Sequence, residues 1–260
     1  MPELIAKREG STGWIIFSSL LKLNALTYEM WRRMPEAIAD LERDPAVRMI
    51  ALRGEGDKAF TSGADVTEFA HARDSIGATA SYNQAVEDFN AALSNCAKPT
   101  FAFVRGICFG GGLGIAARCD IRLCSDDSVF SLPAARLGIG YSSGSILRLA
   151  HLVGPAYCAE IMFTARRYSA EEALQMRLVN RVAPRLEFER VVEEYCTMIA
   201  ENAPLTIAAG KRCLIEGYKD PAQRDMRAVQ ALIDSCYSSD DYREGRDAFI
   251  QKRKPLFRGR

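Results

Sequence analysis

A run of glycines at 110–112, with Gly106 before it and Gly114 after it, constrains this chain more than any other stretch. An apolar segment at 100–104 reads as a strand leading into it, and the Ala-rich residues beyond read as a helix. Glycine has no Cβ, so the backbone here can approach another group closely. The first helical turn adds unpaired N–H groups and the positive end of the helix dipole. Such a corner suits a developing negative oxygen. Taken alone, three glycines are explained equally well by a helix packed tightly on a sheet.

A second stretch tips that balance. Residues 59–66, which include Gly63 and Ala64, form another small-residue corner behind a strand candidate at 48–53. Two such corners, followed by Cys119, Asp120, Ile121 and Arg122, resemble the enoyl-CoA hydratase/isomerase superfamily, the crotonase fold. The likeness runs over nearly the whole chain. It takes in residues 24–26 (Asn-Ala-Leu), 170–173 (Ala-Glu-Glu-Ala) with 175–182, and 241–245 (Asp-Tyr-Arg-Glu-Gly). The tail continues with Ala248 and Phe249, then Lys252 to the Pro-Leu-Phe at 255–257. The resemblance implies an α/β fold with a β-β-α spiral core over residues 1–200. A C-terminal helical trimerisation region would follow over 201–260, with assembly into trimers, often paired as hexamers.

Composition agrees with an enzyme-sized folded unit. Hydrophobic residues make up 48% and charged residues 26%, which allows a sizeable core and argues against disorder. The net charge is +1 with no dominant Lys/Arg block, so no nucleic-acid surface is expected. The N-terminus lacks an apolar signal core and no apolar run reaches membrane length, which points to a cytoplasmic protein with no membrane partner. The eight cysteines form no Cys-x-x-Cys pair and read as small buried thiols. With two histidines a zinc site is not expected; His151 reads as structural and His71 as solvent-exposed.

In chain order, residues 4–8 and 14–18 read as a hairpin. A helix capped by Thr27 places Met30, Met34, Ile38 and Leu41 on one face, with Pro35 predicting a kink or a late start. Residues 47–53 read as a strand, 69–79 as a mobile polar loop, and 82–93 as a helix. Short strands follow at 120–125 and 128–132. Beyond Gly144 the pattern is helical almost throughout, at 144–152, 155–163, 170–176, 187–201, 204–217, 222–237 and 240–251.

The chemistry comes from the resemblance, read residue by residue. It implies that the backbone N–H groups of Ala64 and Gly111 grip the thioester oxygen of an acyl-CoA as it becomes an enolate. Preorganised donors of this kind contribute about 3 kcal/mol each. It also places Ala64, Asp65, Val66 and Thr67 along the CoA moiety, with Phe249 and Lys252 closing over it. Lys252 reads equally well as a solvated helix lysine. Coenzyme A enters as part of the substrate, and no separate cofactor or metal is expected.

Hydratases of the family carry two glutamates, and the matching positions here are Gly114 and Ala134. Neither residue can act as a general acid or base, so two-glutamate hydration is not expected. Tyr141 follows closely and is similar to the tyrosine used by methylmalonyl-CoA decarboxylase of the same superfamily. Decarboxylation needs only stabilisation of the enolate left behind. The competing reading of Tyr141 is a packed ring whose hydroxyl bonds the backbone. Arg136 reads as a partner for a substrate carboxylate or as half of an ion pair; Ser142 or Ser143 reads as a helix cap, and Asp65 as a loop-fixing acid. The sequence therefore predicts an acyl-CoA-processing lyase or isomerase. The alternatives are a methylmalonyl-CoA-decarboxylase-like enzyme using Tyr141 and a non-catalytic acyl-CoA-binding protein.

Overall fold

The computed structural model describes residues 2–68 and 75–260. Strands β1 (Glu3–Glu9) and β2 (Thr12–Ser18) form the expected antiparallel hairpin. Four further strands add in parallel: β3 (Met49–Gly54), β5 (Thr100–Val104), β7 (Ile121–Ser125) and β10 (Arg181–Ala183), in the order β1-β2-β3-β5-β7-β10. A second, four-stranded sheet runs β4 (Ala59–Thr61), β6 (Ile107–Phe109), β8 (Val129–Ser131) and β9 (Tyr168–Ser169). The chain thus alternates between sheets: β3 feeds β4, β5 feeds β6, and β7 feeds β8. Both glycine corners lie just past strands of the smaller sheet.

Period-two alternation divides the large sheet between two apolar clusters. Ile15, Ile50, Leu52, Ala102, Val104 and Cys124 enter the larger cluster, between the sheets and the first helices. Trp14, Met49, Ala51, Phe101, Phe103 and Leu123 face the opposite way, towards Phe188, Val191 and Val192. Those last three belong to helix 188–200, which covers that face. Buried on both sides, the parallel strands read as continuous apolar runs.

Helix α1 (Tyr28–Arg43) starts where the Thr27 side chain accepts from Met30 N, and it buries Met30, Trp31, Met34, Ile38 and Leu41. It runs through Pro35 in one piece and does not start late; nothing in the structure explains the proline. Helix α2 (Ile76–Asn95) is capped by Ser75, whose hydroxyl accepts from Ala78 N at 3.1 Å. The loop expected over 69–79 therefore ends sooner, and its residues 69–74, with His71, lie outside the described residues. Helix α3 (Gly111–Arg118) follows the triple glycine, and a one-turn α4 (Ala134–Leu137) follows β8.

Helix α5 (Ser143–Thr164) joins two expected helices across Gly154, whose φ of 81° and following Pro155 break its line. Its length and composition alone would suffice to cross a membrane, which corrects the reading that no apolar run is that long. Gly154 breaks the helix line, and Leu149, Val153, Cys158 and Ile161 pack one side of it against the core while Leu147, Tyr157 and Phe163 are exposed. Two strands, β9 and β10, interrupt the region read as helical. Two and three residues are too short to show alternation. What holds β10 is non-local: Arg122 N donates to Asn180 Oδ1 at 2.8 Å, and the buried Arg122 Nε to Leu178 O at 2.8 Å.

Helices α6 (Ala170–Gln175), α7 (Phe188–Ala200), α8 (Pro204–Gly217), α9 (Met226–Ser238) and α10 (Asp240–Ile250) complete the chain. The buried Lys211 of α8 joins Asp120 at 2.8 Å and Lys98 O at 2.7 Å, and Arg48 Nη2 donates to Phe257 O at 3.1 Å. All eight cysteines are free thiols, five of them buried.

Candidate active site

Residues 22–26 brace the first corner. Ser62 N donates to Leu23 O at 2.9 Å, Leu26 N to Gly63 O at 2.8 Å, and Asp65 N to Leu26 O at 2.8 Å. Asn24 is buried and its Nδ2 donates to Glu55 O at 2.9 Å and Ala59 O at 2.8 Å, which fixes the bracing segment itself. Gly63 adopts φ +101°, a conformation closed to most side chains, and its N–H donates to Thr61 Oγ1 at 3.0 Å. Every neighbour of the Ala64 N–H is thereby committed. Among the described residues the Ala64 N–H itself has no acceptor.

The second corner repeats this arrangement. Gly110 takes φ +51° and ψ −117°, and its N–H donates to Ser131 O at 2.9 Å. The next N–H, that of Gly111, opens α3 and has no acceptor among the described residues. The two corners touch. A Cβ on Gly63 would lie 3.4 Å from Gly111 N, and one on Gly111 3.8 Å from Ala64 N. A Cβ on Gly112 would meet Thr61 Cγ2 at 2.4 Å, so the triple glycine is required by close approach of the second corner to the first.

Ala64 and Gly111, which carry the two free N–H groups, line one cavity of about 390 Å³. Gly114, Ala134 and Tyr141 line it too, so the structure brings together the two oxyanion candidates, the two positions expected to match the glutamates, and the tyrosine. Tyr141 fills the space beside Gly114: a Cβ there would lie 2.9 Å from its hydroxyl oxygen. That hydroxyl donates to Gly110 O at 3.1 Å. Burial pushes the phenol up to about 12, so it is neutral near pH 7. Its one proton is spent on the backbone of the second corner, which counts against a proton-donor role.

Of the residues placed along CoA, Ala64 and Val66 line the cavity. Asp65 is buried and accepts from Lys22 Nζ at 2.6 Å, Thr67 N at 3.0 Å and Thr67 Oγ1 at 2.6 Å. Burial alone would raise its carboxyl, but the bonds from Lys22 and Thr67 outweigh this and hold it below its usual value. Glu68 accepts from Tyr28 N at 2.8 Å and so fixes the start of α1. Phe249 and Lys252 are exposed at the end of α10 and do not line this cavity. Arg136 is exposed, is not among the residues that line the cavity, and makes no ion pair among the described residues, which leaves its expected ion pair unformed. Ser142 caps α5 by accepting from Ser145 N. His151 is exposed and its ring packs against Tyr218 at 5.8 Å.

Sequence reasoning missed one whole wall. Trp31 of α1, packed against Gly111, and Tyr82, Val86, Glu87 and Asn90 of α2 also line the cavity. Asn90 on the apolar face of a helix was the available signal, because a buried amide among Phe89 and Leu93 needs a partner.

The geometry agrees with the comparisons to known proteins. The family model described as enoyl-CoA hydratase/isomerase matches residues 8–260. The short-chain-enoyl-CoA hydratase of Clostridium acetobutylicum is 31% identical over 251 residues, covering 96% of this chain and 95% of that protein. The carnitinyl-CoA dehydratase of Salmonella typhi is 34% identical over 245 residues, 92% of each chain. A crystal structure of an enoyl-CoA hydratase/carnithine racemase from Magnetospirillum magneticum superposes with a TM-score of 0.92 at 32% identity, covering 100% of this chain and 97% of that one. The paired glycine corners, the alternation of strands between two sheets and these matches along the full chain make it a member of the enoyl-CoA hydratase/isomerase family.

Proposed function

We propose that this chain is an acyl-CoA-processing lyase or isomerase that stabilises a CoA-thioester enolate between the N–H groups of Ala64 and Gly111. One observation carries the reading. These two backbone donors, one from each corner, lie close together and have no acceptor among the described residues, while the N–H groups of Gly63, Asp65 and Gly110 beside them are all spent. Donors fixed in this way need no reorganisation when charge develops on the thioester oxygen.

Relatives bear the names hydratase and dehydratase, so gain or loss of water at an enoyl-CoA belongs in the test. With Gly114 and Ala134 at the glutamate positions, crotonyl-CoA hydration is expected to be negligible. A decarboxylase reading is favoured by the absence of carboxylates there, although the Tyr141 hydroxyl bonds Gly110 O. The experiment is a panel of 2-enoyl-, 3-enoyl-, 3-hydroxyacyl- and malonyl-type CoA thioesters, followed by mass spectrometry. Turnover of one class that is lost in Ala64→Pro supports the reading. Tight binding without any product supports the non-catalytic alternative instead. We also expect a trimer or hexamer, checked by analytical ultracentrifugation; the exposed Phe163, Phe249 and Ile250 are apolar surface such assembly can bury.

A further inference from the structure

Among the described residues, Glu87 is the one carboxylate that lines the cavity. It stands on α2 between Val86 and Asn90 and lines the same cavity as the glycine corners. Asp65 and Glu68 are held by hydrogen bonds at the first corner. Glu87 differs from both, because it makes no hydrogen bond or ion pair among the described residues. Its charge is felt by the Arg118 guanidinium, which itself donates to Ser94 and Ser145. The Asn90 amide nitrogen and the Trp31 indole nitrogen are buried in the same wall with no hydrogen-bond partner. Polar groups left this way in a cavity wall are expected to meet a ligand or water.

We propose that Glu87 is the proton-transfer residue of this site, acting on an acyl-CoA with a double bond between C3 and C4. The inference rests on the enolate reading above. The C2–H bond breaks and its proton goes to the Glu87 carboxylate. The electron pair forms a dienolate whose oxygen lies on the N–H groups of Ala64 and Gly111. Glu87 then returns the proton to C4, and the double bond ends between C2 and C3. One carboxylate serves both steps, so no proton is gained or lost and no second acid is needed. Hydration by the glutamate pair would need acids at Gly114 and Ala134, which this chain lacks. A single carboxylate among the described lining residues fits a double-bond shift better than addition of water.

The test uses the full chain with 3-butenoyl-CoA in D₂O, following C2 deuteration by NMR and crotonyl-CoA formation by its absorbance. Binding of butyryl-CoA is measured alongside by calorimetry. Native protein should form crotonyl-CoA and exchange C2–H. Glu87→Gln should lower both rates by about 10²-fold or more while leaving the butyryl-CoA Kd within about threefold. Glu87→Asp, which keeps a carboxylate on a shorter arm, should recover part of the rate. Native-like exchange in Glu87→Gln overturns the inference, as does butyryl-CoA binding by a native protein that exchanges no deuterium. Absence of any acyl-CoA binding by the native protein overturns the enolate reading itself, and the inference with it.

Discussion

Restoring a side chain at position 114 should collide with Tyr141, and the size of that collision can be worked out. Gly114 lies inside α3, where Gly→Ala normally stabilises by about 1 kcal/mol. Here the new Cβ would lie 2.9 Å from the Tyr141 hydroxyl oxygen but 4.0 Å from the ring carbon that carries it. The ring must swing away, losing its bond to Gly110 O at about 1 kcal/mol. An off-rotamer ring costs about 1 kcal/mol more. Gly114→Ala should therefore destabilise the native chain by about 1 kcal/mol net. In a Tyr141→Phe background the oxygen is gone and only the 4.0 Å contact remains, so the same change should stabilise by about 1 kcal/mol. The coupling is about 2 kcal/mol, well above the ~0.5 kcal/mol scatter of independent sites. Urea unfolding of the four proteins at one fixed concentration measures it. Equal effects of Gly114→Ala in both backgrounds would refute the placement of the Tyr141 hydroxyl against Gly114.

Ala64→Pro removes one free N–H without breaking a protein hydrogen bond, so turnover should fall by about 10²- to 10³-fold in a chain that still unfolds cooperatively; steady-state rates and a urea melt check both halves. Gly112→Ala drives a Cβ onto Thr61 Cγ2 and should cost about 1–3 kcal/mol, with part recovered by Thr61→Ser, which deletes that methyl and keeps the oxygen bonding Gly63 N. Equal unfolding midpoints for Gly112→Ala with and without Thr61→Ser would contradict the contact. Asp65 has a folded pKa below its unfolded value near ~3.9, so its stabilisation is complete above that value and is lost as pH falls through the folded pKa. Asp65→Asn should accordingly cost most stability near pH 7 and least below about pH 3, and a pH-independent gap between the midpoints would count against it.

Much of this fold was legible because its signals are local. The strand at 100–104, the Thr27 cap and helix 204–217 are each specified by a few consecutive residues, and each has the expected bounds or cap. Strands β9 and β10 were hidden because their partners lie far off in sequence: Tyr168 pairs with Phe130 and Arg181 with Leu123. At the site, each small-residue corner could be read from its own glycines, and the resemblance to a known family joined the two as a pair. The wall from α2 could not. Which face of an amphipathic helix meets a cavity rather than core depends on how far the neighbouring helices stand apart. The orientation of the Tyr141 hydroxyl is likewise a tertiary fact, set by the approach of residue 141 to the Gly110 carbonyl.

The grip of two backbone donors on a thioester oxygen is most directly tested by isotope-edited infrared spectroscopy of butyryl-CoA labelled with ¹³C at the thioester carbonyl. Hydrogen bonds from Ala64 and Gly111 should polarise the bound carbonyl and shift its stretch to lower frequency than in water, and Ala64→Pro should lose a large part of that shift. A carbonyl stretch that stays at its solution frequency in the fully bound complex would contradict the oxyanion site.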